Sequence, residues 1–195
     1  MDNALTGKVA LVTGGGSGMG RASALEFAAH GARVLVADYA AEGGERTAAV
    51  IKDKGGEALF VQVDVTNEAQ VQAMIKKAVE TWGRLDFAHN NAGIEGQLGP
   101  TADGTLENWN RVLATNLTGV WLCMKHEIPR MLEQGGGAIV NTASAAGLRA
   151  VEGFSAYCAS KHGVVGLTRV ASREYAKGKI RINAVCPGPI ETPML

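Results

Sequence analysis

"KVALVTGGGSGMGRASALEFAAHGARVLVAD", Lys8 to Asp38, is the stretch that decides the fold. Its first six residues, Lys8 to Thr13, form an apolar, β-branched run with the length of a buried strand, and a glycine-rich turn follows at once. A helix is predicted from about Gly18 to His30, ended by Gly31, and Arg33 to Asp38 reads as a second buried strand. Strand, glycine turn, helix and strand make one right-handed β-α-β unit.

The alternation continues outward. Glu42 to Lys54 is predicted as a helix stopped by Gly55 and Gly56, Ala58 to Val63 as strand three, and a helix opening at Thr66-Asn67-Glu68 closes at Gly83. Leu85 to Asn90 is strand four, Glu107 to Gln134 a long helix with a break near Pro129, and Ala138 to Thr142 strand five. A helix N-capped by Ser155 runs to near Gly178, and Arg181 to Val185 is strand six ahead of a Pro- and Gly-rich tail. Six alternations without linker or repeat predict an α/β fold, a doubly wound parallel sheet of at least six strands with helices on both faces, of Rossmann type. Its ligand is expected beyond the carboxyl ends of the strands.

Composition narrows the function classes. The 195 residues carry 19 basic and 19 acidic side chains, a formal net charge of zero, and no basic run longer than two, so a nucleic-acid partner is not expected. Cys123, Cys158 and Cys186 are odd in number and lack a C-x-x-C, and the four histidines lack metal-ligand spacing, so no disulfide framework or metal is expected. Without a signal-peptide core or an apolar run of membrane length, the expectation is a cytoplasmic protein with no membrane partner.

Two places carry chemistry. After strand one stands Thr13-Gly14, three residues, then Gly18-Met19-Gly20. This is not G-x-G-x-x-G, but glycines that let a backbone turn tightly ahead of a helix N-terminus suit a pyrophosphate. Twenty residues after Gly18, Asp38 ends strand two; a carboxylate there either accepts the hydroxyls of an adenosine ribose or caps the next helix. With the glycine turn at this spacing the first reading is favoured, and neither Ser17 nor Tyr39 offers a cation for a 2′-phosphate, so NAD is expected rather than NADP. The second place is Tyr157 and Lys161, four apart on a helix and so on one face. At about 4 Å and an effective dielectric of about 20 an ammonium favours a phenolate by about 4 kcal/mol, roughly three pKa units, which turns tyrosine into a usable acid or base.

T-G-x-x-x-G-x-G, Asp38, "NNAG" at Asn90 to Gly93, Ser144 and Tyr157-x-x-x-Lys161 stand in order, and together they resemble the classical short-chain dehydrogenase/reductase family. The resemblance implies an NAD-dependent oxidoreductase moving a hydride between a secondary alcohol, or ketone, and the nicotinamide. It gives Tyr157 the acid/base role, Lys161 the tuning of its pKa and a hold on the nicotinamide ribose, Ser144 the substrate oxygen, and Asn116 a proton relay; the residues alone leave Asn116 equally open to satisfaction by helix backbone. For the cofactor it implies Gly14, Ser17, Gly18, Met19 and Gly20 at the phosphates, Asp38 at the ribose, Asp64 and Val65 at the adenine, and Asn91, Ala92 and Gly93 in the middle. Pro187, Gly188, Ile190 and Thr192 follow at the carboxamide end.

Ile94, Leu98, Leu148, Val151 and Phe154 are expected to line a partly apolar substrate pocket. Residues 1–195 read as a single nucleotide-binding domain, and the resemblance implies a homo-oligomer, tetramer or dimer, whose members continue past this point into a substrate flap, another helix and a seventh strand. The rival reading is a non-catalytic NAD-binding regulator on the same fold; a decayed enzyme would be expected to lose Tyr157, Lys161 or Ser144, and all three are present.

Overall fold

The computed structural model describes residues 4–192. Strands β1 (Val9–Thr13), β2 (Arg33–Asp38), β3 (Ala58–Gln62), β4 (Phe87–Asn90), β5 (Gly137–Thr142) and β6 (Ile180–Val185) form one parallel sheet in the order β3-β2-β1-β4-β5-β6. The order reverses between β1 and β4, which opens a crevice at their carboxyl ends. Register places Thr13 beside Ala37 and Asn90, and Asn90 beside Asn141, so residues that follow these strands emerge at one level.

Among the described residues, six α-helices lie between the strands: α1 (Gly18–Ala29), α2 (Ala41–Asp53), α3 (Glu68–Trp82), α4 (Leu106–Leu113), α5 (Gly119–Glu133) and α6 (Ser155–Glu174). The alternation of strand side chains assigns them to faces. Val9, Leu11 and Leu35 pack against Met74 and Ile75 of α3 and Ile128 and Met131 of α5, while Val12, Val34 and Val36 pack against Ala24 of α1 and Ala48 and Ile51 of α2. Each fully buried large side chain contributes roughly 1.5–3 kcal/mol. Caps fix the helix starts where the sequence supplies them: Asn67 accepts from the Gln70 N–H at 3.2 Å, and Thr105 from the Asn108 N–H at 3.1 Å. Among the described residues, no helix is long and apolar enough to cross a membrane.

Two local expectations fail. The long helix is not broken near Pro129, where α5 continues to Glu133 with Ile128 and Met131 buried on either side; that packing offsets one missing backbone hydrogen bond. The interruption comes earlier, as a π-helical segment over Ala114–Thr118. Its cause is tertiary: the Asn116 side chain donates to the Ile94 carbonyl and accepts from the Ile94 N–H, both at 2.8 Å, and a widened turn lets it reach that neighbouring segment. Nor does Ser155 cap α6. It is the first helical residue, Phe154 precedes it, and the Ser155 hydroxyl shares a 2.7 Å hydrogen bond with Thr101.

Candidate active site

A cleft of about 990 Å³ opens over the carboxyl ends of the strands. Its β1 end is shaped by a contact that only glycine permits: a Cβ on Gly20 would lie 2.0 Å from the Gly14 carbonyl oxygen and 2.5 Å from Asn91 Nδ2. With that space closed, Gly14, Ser17, Gly18 and Met19 line the cleft at the start of α1, and Gly20 lies buried behind them. Asn91 is held against this turn, its N–H donated to Thr13 Oγ1 at 3.0 Å, and Ala92 donates to the same oxygen at 3.1 Å.

Asp38 faces the cleft, and it does not cap α2, whose N-cap is Ala40 without a side-chain cap bond. Oδ2 accepts from the Gly16 N–H at 2.8 Å and Oδ1 from the Ala40 N–H at 2.9 Å, which fixes the carboxylate while leaving lone pairs for a ligand. Asp64, Val65, Asn91, Ala92 and Gly93 continue the wall, and Pro187, Gly188, Ile190 and Thr192 complete it from the tail after β6. The tail is tied down where Ala145 N–H donates to the Pro187 carbonyl at 2.8 Å. Pro193, part of the same tail in the sequence, lies outside the described residues.

Ser144, Tyr157 and Lys161 meet on one wall. Ser144 leaves β5 in an extended conformation and accepts from the Ala146 N–H at 3.1 Å. Lys161 is almost fully buried; its ammonium lies 5.6 Å from the centre of the Tyr157 ring and donates to the Thr142 carbonyl at 2.8 Å. Burial brings its pKa down to about 8, with the neighbouring Cys186 acting in the opposite sense, so it remains largely charged at neutral pH. Tyr157 departs from expectation. Burial raises its pKa above that of a free phenol, a hydrogen bond with Ser144 lowers it, and the charges of Glu95 and Cys158 raise it further. The predicted lowering by Lys161 is overridden because the ammonium points at a carbonyl beside the ring, while the phenol itself is desolvated.

Asn116 lies fully buried one layer behind this wall. Besides its two bonds to Ile94, its amide donates to Ser160 Oγ at 3.2 Å, and Ser160 in turn donates to the Tyr157 carbonyl at 2.7 Å. Of the apolar residues expected in the pocket, Ile94, Val151 and Phe154 line it. Leu98 and Leu148 do not: they are 53% and 59% exposed, on segments whose direction the pattern of apolar residues did not specify. Sequence reasoning also missed Glu95, Thr142 and Arg149, all on the wall. Glu95, directly after "NNAGI", and Arg149, in "AAGLRAV", each carried a signal, a charge amid small and apolar residues.

A doubly wound sheet, a tight glycine turn at the start of α1, a carboxylate after β2 and a Ser-Tyr-Lys wall fit a nicotinamide-dependent oxidoreductase. Residues 8–195 match the family model for short chain dehydrogenases, and the chain belongs to that family. It is 46% identical over 192 residues to levodione reductase of Leifsonia aquatica, covering 97% of this chain and 72% of that protein. It is 44% identical over 195 residues to cyclohexanol dehydrogenase of Acinetobacter sp. (strain SE19), covering 100% of this chain and 78% of the relative. The crystal structure of levodione reductase superposes with a TM-score of 0.96, covering 97% of this chain and 74% of that one. NAD+-bound xylitol dehydrogenase, 38% identical, superposes with 0.93 over 95% of this chain and 71% of its own. The chain is an oxidoreductase of secondary alcohols and ketones, and the regulator reading falls away.

Proposed function

We propose that this protein uses NAD in preference to NADP and oxidises a secondary alcohol carried on a six-membered carbocycle, or reduces the corresponding ketone. The observation that carries the reading is the union, in one cleft, of Asp38 at one end with Ser144, Tyr157 and Lys161 at the other. Cyclohexanol dehydrogenase, named for an alcohol on a six-membered ring, supports the substrate class. The apolar surface of Ile94, Val151 and Phe154 beside Tyr157 suits such a ring.

The bound nicotinamide would supply the hydride acceptor or donor. Gly14, Ser17, Gly18 and Met19 would hold its phosphates, Asp38 its adenosine ribose, Asp64 and Val65 the adenine, Asn91 to Gly93 and Lys161 the middle, and Pro187, Gly188, Ile190 and Thr192 the carboxamide end. Gly20 acts from behind by admitting the turn. Ser144 Oγ holds the substrate oxygen, and Tyr157 takes the hydroxyl proton in oxidation or gives it to the ketone oxygen in reduction. Because the phenol is raised, Tyr157 stands ready as an acid at neutral pH, and oxidation grows as pH rises toward its pKa. Asn116 is a positioning residue: it fixes Ile94 on one side and, through Ser160, the first turns of α6 on the other.

Exposed apolar side chains on α4 and α5, Leu106, Trp109, Trp121 and Leu132, favour a homo-oligomer, which sedimentation would measure. Steady-state assays with cyclohexanol and cyclohexanone test the activity. NAD is expected to exceed NADP at least tenfold in kcat/KM, since a 2′-phosphate against Asp38 costs more than about 1.4 kcal/mol, and Asp38→Ser narrows the gap mainly through KM. Equal use of both cofactors by the unmodified enzyme would refute the preference.

A further inference from the structure

Glu95 is a cleft-lining carboxylate on a fixed stretch of backbone, and among the described residues it has no protein group to hold. The segment after β4 that carries it is anchored on both sides. Before it, the Ile94 N–H and carbonyl are both bonded to the Asn116 side chain at 2.8 Å. After it, Gln97 N–H donates to Asn108 Oδ1 at 2.8 Å, and Asn108 Nδ2 donates back to the Gln97 carbonyl at 3.3 Å. Between them Gly96 has φ of +84°, and a Cβ there would lie 2.4 Å from Val112 Cγ2, so the turn is pressed onto α4. Glu95 therefore stands on a clamped turn at the cleft wall, beside Ile94.

Among the described residues its carboxylate makes no ion pair or side-chain hydrogen bond, and Arg149, which lines the same cleft, does not pair with it. Its charge opposes ionisation of Tyr157, after the larger effect of burial. A carboxylate that lines the cleft beside the apolar wall, on a backbone segment held on both sides and at the cost of hindering the alcohol-oxidising form of the base, is explained by a task toward the ligand.

We propose that Glu95 determines specificity by accepting a hydrogen bond from a second hydroxyl of the substrate, so that the preferred substrate is a ring diol or hydroxyketone and not a monoalcohol. This rests on the alcohol-oxidoreductase reading above. Ile94, Val151 and Phe154 take the carbon ring, Ser144 and Tyr157 the reacting oxygen, and Glu95 the other. A hydrogen bond to a charged acceptor is worth roughly tenfold or more in discrimination.

The test measures kcat/KM with NAD for cyclohexanol and for the 1,2-, 1,3- and 1,4-cyclohexanediols, in the wild type, Glu95→Gln and Glu95→Ala. The best diol is expected to exceed cyclohexanol by about tenfold or more in the wild type, and Glu95→Ala is expected to erase most of that ratio through KM. A second readout needs no substrate: tyrosinate absorbance near 295 nm, as the difference between Tyr157-containing and Tyr157→Phe proteins. The groups that face the phenol are Lys161 and Cys158 on its own helix, Ser144 after β5 and Glu95 after β4. In Glu95→Gln this titration is expected to move to lower pH. A wild-type ratio near one, or a ratio unchanged in both variants while the titration moves, would overturn the proposal and leave the alcohol-oxidoreductase reading intact. Absence of turnover with every alcohol and ketone would overturn that reading and this one together.

Discussion

Two buried polar clusters sit about two turns apart along α6, and they are built from the same kinds of side chain. Near its start, Ser160 and Lys161 join Asn116, Thr142 and Tyr157. Farther along, Thr168 accepts from Asn141 Nδ2 at 3.0 Å, and Asn90 Nδ2 donates both to Asn141 Oδ1 and to Glu127 Oε2 at 3.0 Å. The first cluster ends at the cleft with a phenol and an ammonium; the second is buried between the sheet, α5 and α6. Asn90 Oδ1 and Glu127 Oε1 have no hydrogen-bond partner there, and burial raises the Glu127 pKa to about 8, against the lowering influence of its bond from Asn90. A neutral carboxylic acid supplies one donor to a cluster that otherwise holds two acceptors without one. Burial and a shifted pKa therefore do not mark a catalytic group by themselves; the opening of one cluster to the cleft separates them.

Tyr157→Phe breaks the first cluster only at its chemical end. It deletes the proton-transfer oxygen and keeps the ring, so kcat is expected to fall by roughly 10² or more with cofactor binding nearly intact. Lys161→Ala is expected to harm both. Stopped-flow binding of NADH beside steady-state turnover separates the two outcomes, and near-normal turnover in Tyr157→Phe would remove the distinction between the clusters.

In the closed cluster the expected loss is in stability, and it depends on pH. The folded-state pKa of Glu127, about 8, is above its unfolded value near 4.5, so the folded protein binds the extra proton. Its contribution is complete below about pH 4.5 and is lost as pH rises toward 8. His89, held near 4 by burial, acts in the opposite sense and only below about 6.5, and Lys161 matters above about 8. Between pH 6.5 and 8 the wild type is therefore expected to lose about 1.4 kcal/mol per pH unit. Glu127→Gln carries a permanent N–H donor and no titration; its Tm should stay flat across this window and exceed that of the wild type at pH 8. Calorimetric melting at half-unit steps checks it, and a flat wild-type profile would mean that Glu127 is ionised and paired.

The chemical end of the open cluster was legible in the sequence and the closed cluster was not, for physical reasons. Tyr157 and Lys161 are brought together by helix periodicity alone, and Gly14, Gly18 and Asp38 are placed by one β-α-β unit, so spacing along the chain specifies them. Glu127 lies on α5, far in sequence from Asn90 and Asn141; only the parallel register of β4 beside β5 brings them together and buries its carboxyl group, which raises its pKa. The π-helical turn at Asn116 escaped for the same reason, since its cause is a bond to Ile94 across the fold, whereas Pro129 carried a strong local signal that packing overrode. Local rules found the elements and the residues in local register, and long-range bonds decided the rest.

The smallest effects give the sharpest version of the comparison, because they use two hydroxyls on one helix. Ser160 and Thr168 are eight residues apart, about 12 Å along α6, and both are buried on its inner side. Each accepts from an asparagine amide and donates to a backbone carbonyl of its own helix, Ser160 to Tyr157 at 2.7 Å and Thr168 to Val164 at 2.7 Å. Removing either hydroxyl leaves one buried amide N–H short of an acceptor, so Ser160→Ala and Thr168→Val are each expected to cost about 1–2 kcal/mol in chemical denaturation. They should part in turnover. Ser160 is the link by which Asn116 fixes the turn carrying Tyr157, so Ser160→Ala is expected to lower kcat severalfold with KM little changed, and Ser160→Thr, which restores the hydroxyl, to recover it. Thr168→Val has no path to the cleft except through Asn141, and its kcat should stay within a factor of two. Equal losses of kcat in both variants would mean that α6 transmits any loosening to Tyr157, and that the two clusters are one.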